Sequence, residues 1–423
     1  MSRNATGKNV SHSPAPAKTG TERARPMRVD NARAAMLSAI GPLAAEAVDL
    51  DDALGRVLAG AVTAVRDQPP FAVSAMDGYA LRSVDAPGTL RVIGESAAGR
   101  GFAGRCEPGG AVRTSTGAAM PQGADTVAIQ EDVKREGEVV IVPAVAPGKN
   151  IRPRGGDFSA DAALLPPGRL LDGVAVSLAA AAGMAVLSVI RRPRIAILCS
   201  GDELAAPGTA PGPYQIFDSA AYGVASLVRA WGGVARRLDV ARDDPAVIAR
   251  AAEQGLRNSD LLVVIGGASV GDHDHARPAL MRLGLELAVE KVAVRPGKPT
   301  WFGVTPHGPV LGLPGNPSSA LACSYLFLRP LIEAMLGRDA AACVTFRRAQ
   351  LTRAMPSNGP REHYLRGFMD VDADGQLTVR SFEDQDSSLI SVFAAANALI
   401  RMAPDAAALP EGALVDVLPI GGL

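Results

Sequence analysis

The sequence LLVVIGGASVGDHDHAR, from Leu261 to Arg277, decides the fold class of this chain. Its five large apolar residues end abruptly in Gly266-Gly267, which predicts a fully buried strand of a parallel sheet. Ligands of doubly wound sheets bind beyond the carboxyl ends of the strands, where glycines let backbone N–H groups approach phosphate and carboxylates can hold a cation. The alternative is a tight strand-to-helix turn without a ligand. The loop that follows carries Ser269, Gly271, Asp272 and Asp274.

The size and charge of the chain restrict its class. A chain of 423 residues exceeds one ordinary core, so about two to four domains are expected. Lys+Arg and Asp+Glu both total 43, which gives no overall bias toward nucleic acid or an acidic membrane surface. Aromatic residues make up 4%, so a base-stacking surface is not expected either.

Three features predict a cytoplasmic protein. The four cysteines show no CxxC spacing, which argues against a zinc site or a disulfide framework and fits a reducing compartment. The N-terminus lacks an apolar signal segment. The uncharged stretch from Gly173 to Ile190 approaches the length of a membrane span, but Gly183 divides it into a helix-like and a strand-like half. We therefore expect a buried helix and strand there rather than a membrane helix.

The pattern of predicted helices and strands changes along the chain and predicts an α/β multidomain protein. Residues 1–27 are polar and lack hydrophobic periodicity, as in a disordered tail. A mixed helical and extended linking domain is expected from two segments that pair with each other, residues 28–66, which have a helical pattern, and residues 151–190. Short strands predict an inserted β-rich domain at 67–150. Alternating strands and helices predict a doubly wound parallel α/β domain at 191–338, and strands return in a small C-terminal β domain at 339–423.

Three loops are predicted at the carboxyl edge of the α/β sheet. They are Cys199 to Glu203, the loop within Leu261 to Arg277, and Leu313 to Ser319. The hydroxyl of Ser318 or Ser319 and free N–H groups at the start of a helix are placed to receive an anion, although plain helix capping is the alternative. Three such loops in one module favour a phosphate-bearing ligand.

Carboxylates near these loops suggest a divalent cation. Asp202, Glu203, Asp243 and Asp274 follow different strands that converge on one edge, and hard oxygen ligands suit Mg²⁺ bridging to phosphate. For Asp243-Asp244 the alternative is capping of the following helix. His273 and His275 superficially suggest zinc, but alternate residues point apart and no third histidine is near.

A basic segment follows from Lys291 to Pro299, where two prolines fix the backbone around Arg295 and Lys298. It is either a solvated basic face or an oxyanion site with its cations held in place. Motifs for a hydrolase elbow, a P-loop or a GxGxxG dinucleotide loop are absent from the sequence.

Six motifs occur in order: SAMDGYA (74–80), NIRPRGGD (150–157), SGDEL (200–204), GGASVGDHD (266–274), RPGKP (295–299) and LPGNPSSA (313–320). Together they closely resemble the molybdopterin molybdenumtransferase (MoeA-type) family, which includes the E domain of gephyrin-like proteins. The resemblance covers about residues 28–423. It implies a four-domain protomer, a homodimer, and a central domain similar to the MogA-type molybdopterin adenylyltransferase.

The resemblance also implies a function, namely molybdenum cofactor biosynthesis. Molybdate would be inserted into the dithiolene of adenylylated molybdopterin with release of AMP, and Mg²⁺ would be the cofactor. The implied partners are adenylylated molybdopterin, molybdate, a molybdopterin adenylyltransferase and recipient molybdoenzymes, with no nucleic acid and no membrane.

Functional residues follow from the motif positions. The implied catalytic residues are Asp77, Thr116, Asp157, Glu203, Asp243, Asp274 and Lys291, with Asp77 and Thr116 contributed to a dimer cleft by the inserted domain and Asp157 belonging to the same cleft. The implied metal ligands are Glu203, Asp243 and Asp274. The implied substrate loops comprise Ser200, Gly201, Asp202, Gly266, Gly267, Ser269, Gly271, Pro314, Gly315, Asn316, Pro317 and Ser318. The implied molybdate clamp comprises Arg295, Lys298, Pro299, Arg366 and Ser387.

The sequence departs from the family pattern at several loop positions. The departures are Ala72, Val73, Gly156, Ala220, Ala268 and Asp386, and Arg295 stands in place of a common lysine. These changes leave two alternatives open, a tungstate-inserting paralogue and a non-catalytic scaffold. The likeness of the α/β domain to the adenylyltransferase leaves a third, molybdopterin adenylyltransferase activity.

Overall fold

The computed structural model describes residues 25–267 and 275–421. Its central domain is a six-stranded sheet in which Leu261–Ile265 is paired on both sides by parallel strands. In spatial order, the strands are Val234–Arg237, Arg194–Cys199, Leu261–Ile265, Gly308–Leu313, Trp301–Thr305 and Glu286–Val289.

Both faces of this sheet are covered, which explains the unbroken apolar strand sequences. Along Arg194–Cys199, residues Ile195 and Ile197 join one hydrophobic cluster, whereas Ala196 and Leu198 join the cluster on the opposite face. The helices of this domain are Ala220–Ala230, Pro245–Leu256, Ala276–Met281, Pro317–Cys323 and Arg329–Met335, with a π-helical turn at Ser324–Leu328.

The sequence predicts a parallel sheet, but two of the six strands run antiparallel to their neighbours. Trp301–Thr305 runs antiparallel to Gly308–Leu313, and Glu286–Val289 runs antiparallel to Trp301–Thr305. The short Thr305–Gly308 connection causes the first reversal, because a parallel crossover needs a dozen or more residues.

The predicted helical pattern over residues 29–65 is only partly correct. A helix spans Val29–Leu37, and its buried residues join the core of the α/β domain. The next segment instead forms the strand Ala45–Asp49, which pairs with Val186–Ile190. Long-range pairing has overridden the local helical pattern there. Met27, assigned to the tail, is also ordered, since its N–H donates to Lys291 O over 2.9 Å.

Segments on either side of the inserted domain pair with each other, as expected for an insertion. Val62–Thr63 pairs with Ala163–Leu165, and Val73–Ser74 pairs with Ile151–Arg152. The uncharged stretch forms the helix Gly173–Ala181 and the strand Val186–Ile190. Among the described residues, no helix is long and apolar enough to cross a membrane. Short 3₁₀ turns lie at Leu50–Asp52, Ser83–Asp85, Gln130–Asp132 and Ala342–Val344.

The inserted and C-terminal domains are both built from strands. The inserted sheet has the spatial order Thr126–Ile129, Gly78–Leu81, Gly110–Thr114, Gly88–Ser96, Val139–Val142 and Lys134–Glu136. In the C-terminal domain five strands close into a barrel, and the helix Ile390–Ala394 lies beside them. In spatial order, the strands are Glu362–Val371, Leu377–Ser381, Arg347–Leu351, Leu414–Pro419 and Ala398–Met402.

One strand of the C-terminal sheet comes from the segment that precedes Trp301–Thr305. Val294–Arg295 pairs in parallel with Glu362–Val371, so that Arg295 lies opposite His363. This pairing brings the basic Arg295–Pro299 turn to the junction between the α/β domain and the barrel.

Candidate functional site

A cleft with a volume of about 1050 Å³ lies between the carboxyl edge of the α/β sheet and the adjoining end of the barrel. Four groups of loop residues contribute to its wall. They are Ser200, Gly201 and Glu203; Gly266 and Gly267; Arg295, Lys298 and Pro299; and Pro314, Gly315, Asn316 and Pro317. The three loops proposed from the sequence therefore meet at one site.

Close backbone packing brings these loops together. A Cβ at Gly266, whose φ is +89°, would lie 2.9 Å from Ser200 O, and a Cβ at Gly315 would lie 3.4 Å from Gly266 Cα. Ser200 is only 5% exposed, and its Oγ has no hydrogen-bond partner among the described residues. An unpaired buried hydroxyl in a cleft wall favours a polar ligand at this position.

One end of the cleft is acidic. Glu203 and Asp243 both line it, as does Asp218, which the sequence interpretation missed and whose Oδ1 accepts from Ala221 N over 3.1 Å. Asp244 is the helix cap instead, because its Oδ1 accepts from Ala246 N and Val247 N at 2.6 and 3.2 Å. The bond from Val247, followed by that from Ala246, lowers the pKa of the Asp244 carboxyl.

The remaining predicted acidic residues are less well placed. Asp202 does not line the cleft, and its carbonyl accepts from Gln215 Nε2 over 3.1 Å. Within 25–267 and 275–421, no three His, Cys, Asp or Glu side chains form a cluster that could hold a metal. Three predicted site residues of the stretch from Leu261 to Arg277 lie outside the described residues: Ser269, Gly271 and Asp274.

The opposite side of the cleft is cationic. Arg295 and Lys298 line it together with Arg361 and His363, two residues that the sequence interpretation missed. His363 is 7% exposed, and burial, with the charges of Arg295, Arg361 and Arg366, lowers its pKa to about 4. Its imidazole is therefore neutral at physiological pH.

The turn that carries Arg295 and Lys298 depends on Gly297. This glycine has a φ of +110°, and a Cβ built on it would lie 2.2 Å from Cys323 Sγ. Cys323 is fully buried and its Sγ accepts from Thr300 Oγ1 over 3.3 Å. Burial raises the pKa of the Cys323 thiol to about 12, so this thiol is a packing group rather than a nucleophile.

Arg366, predicted to bind molybdate, does not line the cleft but is buried behind its wall. It is 3% exposed, and its Nη1 donates to Ser318 Oγ over 2.9 Å and to Asp386 O over 2.8 Å. Its Nε donates to Gln385 Oε1 over 3.1 Å. Ser318 is buried behind the wall with it, whereas Ser387 lines the cleft and accepts from Asn316 Nδ2 over 2.6 Å. These bonds join the barrel loop to the α/β domain.

Four other predicted residues do not line the cleft among the described residues. Asp77 and Thr116 contact each other in the inserted domain, where Asp77 Oδ1 accepts from Thr116 N over 2.6 Å and from Thr116 Oγ1 over 3.1 Å. The first of these bonds contributes most to lowering the pKa of Asp77. Asp157 is exposed near that domain, and Lys291 lies at the start of the basic segment without lining the cleft. These four residues do not line this cleft within one chain, so their predicted role in a dimer cleft stays a prediction.

Three family models match successive parts of the chain. Residues 27–183 match the MoeA N-terminal region (domain I and II), residues 196–334 a "Probable molybdopterin binding domain", and residues 348–420 the MoeA C-terminal region (domain IV). A relative named molybdopterin molybdenumtransferase, from Nostoc sp., is 35% identical over 77% of this chain and 77% of its own length. The chain belongs to the MoeA family.

Further comparisons extend the MoeA likeness to nearly the whole chain. A Haemophilus influenzae protein named molybdopterin molybdenumtransferase is 32% identical over 94% of this chain and 99% of its own length. A crystal structure of a molybdopterin biosynthesis MoeA protein from Pyrococcus horikoshii has a TM-score of 0.83 at 28% identity, and covers 94% of this chain and 100% of that one. The predicted α/β multidomain fold and the MoeA resemblance are therefore confirmed, while the individual domain boundaries stay predictions.

Arg361 and His363 add to the site of this MoeA chain beyond the residues carried over by motif. The only available signal was their place beside the recognised Arg366 in REHYLRG. Locating them in the cleft required the pairing of Val294–Arg295 with Glu362–Val371.

Proposed function

We propose that this chain acts in molybdenum cofactor biosynthesis and transfers molybdenum from molybdate to the dithiolene of adenylylated molybdopterin, with release of AMP. The observation that carries the proposal is a single cleft with an acidic end and a cationic side. Such a cleft suits a phosphate-bearing ligand with a divalent cation and a second, free oxyanion. Bringing the two substrates together is mainly a proximity effect.

The phosphate-bearing substrate is proposed to bind along the loops at the sheet edge. Its polar groups would meet Ser200 Oγ and the backbone of Gly201, Gly266, Gly267 and Gly315. Pro314, Asn316 and Pro317 line the same wall and would shape it. The binding roles of Ser269 and Gly271 stay predictions.

Mg²⁺ is proposed to bind at the acidic end. Glu203 and Asp243 fit this ion, because Mg²⁺ prefers oxygen ligands and usually binds through one or two carboxylates together with water and phosphate. The ion would stabilise negative charge as the phosphoanhydride is cut. Asp274 stays a predicted third ligand.

Molybdate is proposed to bind on the cationic side, at Arg295, Lys298, Pro299 and Ser387. Molybdate is a tetrahedral dianion, so two fixed cations and a hydroxyl make a suitable clamp. Asp386 also lines this region, and its Oδ1 accepts from Ser388 N and Oγ at 2.8 and 2.6 Å. A carboxylate beside the clamp motivates a direct comparison with tungstate.

An assay of AMP release from adenylylated molybdopterin tests the proposal. We expect release by the wild-type protein only with Mg²⁺ and molybdate, and a loss of at least about 100-fold in Asp243→Ala because a cation ligand is removed. Asp244→Asn keeps a helix-capping oxygen and is the matched control, with near-normal activity. Formation of the adenylate from ATP would support the adenylyltransferase alternative, full activity in Asp243→Ala would contradict the cation site, and inactivity of every protein would support a scaffold.

A homodimer is also proposed, because a dimer cleft would let the inserted and linking domains of a second copy supply the predicted roles of Asp77, Thr116 and Asp157. The linking domain exposes several large apolar side chains that a partner could bury: Leu54, Val65, Val174 and Val186. The buried or partly buried free thiols agree with a cytoplasmic location.

Replacing Val174 with aspartate is expected to shift the protein from dimer to monomer. Val174 is 79% exposed, so the change adds a charge at a surface that would be desolvated in the dimer. Light scattering after size exclusion measures the mass. Val371→Asp, at an exposed valine of the barrel, should leave the mass unchanged, and a wild-type monomer would contradict the proposal.

A further inference from the structure

His363 lies on the cationic side of the cleft, in the barrel strand Glu362–Val371. It lies opposite Arg295 in the parallel pair and opposite Met402 in the antiparallel pair. The residue is only 7% exposed, yet its imidazole forms no hydrogen bond with residues 25–267 or 275–421. Of the histidines within those ranges, His363 alone lines the cleft.

The charged groups around His363 are mostly cationic. Arg295 comes from the neighbouring strand, whereas Arg361 and Arg366 flank His363 in its own segment, and Asp386 lines the cleft from the barrel loop. Burial acts with the three arginines to keep the imidazole neutral. A dianion bound in the cleft beside Arg295 would offset the charge of the arginines and raise the pKa of His363, making the imidazole more basic when that substrate is present.

Molybdenum transfer creates a need for proton movement at this side of the cleft. When a dithiol replaces one oxygen of molybdate, two Mo–S bonds form and one Mo–O bond breaks. Both thiol protons end on the departing oxygen, which leaves as water, and the charge of −2 and the oxidation state are unchanged. Guanidinium groups cannot accept these protons, because they remain protonated in proteins.

We propose that His363 is a catalytic proton relay that takes a proton from the dithiol and delivers it to the oxygen leaving molybdate. This inference rests on the proposed molybdenum transfer. The position supports it, because the neutral ring faces the same cleft as the Arg295 and Lys298 cations that would hold the dianion. A neutral imidazole has one nitrogen that accepts and one that donates, which is what a relay needs.

Turnover of His363→Ala and His363→Gln tests the relay. We expect kcat to fall by about 100-fold in both, with little change in the KM for molybdate, since general acid–base catalysis contributes that order of magnitude. Added imidazole should restore much of the activity of His363→Ala, because the cleft is open to small molecules. The kcat of the wild type should fall toward acid pH, and this limb should disappear in His363→Gln. His307→Gln, altered in the Thr305–Gly308 turn outside the cleft, is the control with unchanged turnover.

Two results overturn the relay. One is normal turnover in His363→Gln, since a glutamine side chain can hydrogen-bond a substrate but cannot take up or release a proton in this pH range. The other is a loss in His363→Ala that imidazole does not restore while molybdate affinity falls in parallel, which identifies a binding role. Failure of the proposed function is distinct, because the wild-type protein would then release no AMP with molybdate.

Discussion

Replacing Gly297 with alanine is expected to destabilise the α/β domain by about 4 kcal/mol and to abolish tight molybdate binding. The new Cβ would lie 2.2 Å from the sulfur of the buried Cys323, and the φ of +110° disfavours any side chain. Backbone strain and overpacking each contribute about 1 to 3 kcal/mol. Relief of the clash requires the turn to move, and the turn carries Arg295 and Lys298.

Urea denaturation followed by tryptophan fluorescence measures this effect, because Trp231 and Trp301 both belong to the α/β domain. Gly375→Ala is the control for backbone strain, since Gly375 also has a positive φ but no atom within 4 Å of the added Cβ. Gly297→Ala combined with Cys323→Ala should be less destabilising than the sum of the two changes. Strict additivity would contradict the clash.

Replacing Arg366 with alanine is expected to weaken molybdate binding by about 100-fold and to destabilise the barrel loop by about 3 kcal/mol. The change leaves Gln385 Oε1 and the buried Ser318 Oγ without their charged donor. Loss of such bonds costs about 1.5 to 3 kcal/mol each in buried settings. Arg366→Lys should not restore function, because one ammonium group cannot reproduce the directional bonds of a guanidinium.

Calorimetric titration with molybdate, combined with thermal unfolding, checks the Arg366 prediction. Arg348→Ala, which breaks an exposed pair with Asp416, should change stability by less than about 1 kcal/mol. Ser318→Ala separates direct contact with molybdate from positioning of the barrel loop. If Arg366 positions the loop, Ser318→Ala should reproduce part of the loss of molybdate affinity. Normal affinity in Ser318→Ala with lost affinity in Arg366→Ala would instead indicate direct contact with molybdate.

The sequence allowed the central sheet and its edge loops to be predicted because their signals are local. Leu261–Ile265 ends in glycines that the close packing of Ser200 and Gly315 requires, and the run of apolar residues reflects burial on both faces. The strand Ala45–Asp49 was missed because its partner, Val186–Ile190, lies far along the chain. The strand Ala398–Met402 was missed because it lacks a clear alternation of apolar and polar residues.

The residues of the cleft were likewise predictable where their signals are local and not where long-range pairing places them. Glu203 and Asp243 could be placed because each follows a strand or opens a helix of the sheet. His363 could not, since its position depends on a strand from one domain joining the sheet of another. Asp77 illustrates the opposite case: its motif was recognisable, but no local pattern indicates that its domain lies apart from the cleft of its own chain.

The strand Val294–Arg295 has a mechanical consequence. Arg295 is fixed to the barrel by its pairing with Glu362–Val371, whereas Lys298 leads directly into the α/β strand Trp301–Thr305. Only Pro296 and Gly297 separate the two cations. A hinge rotation of the barrel would move Arg295 with the barrel and leave Lys298 with the α/β domain. The distance between the two cations would therefore change with the angle between the barrel and the α/β domain.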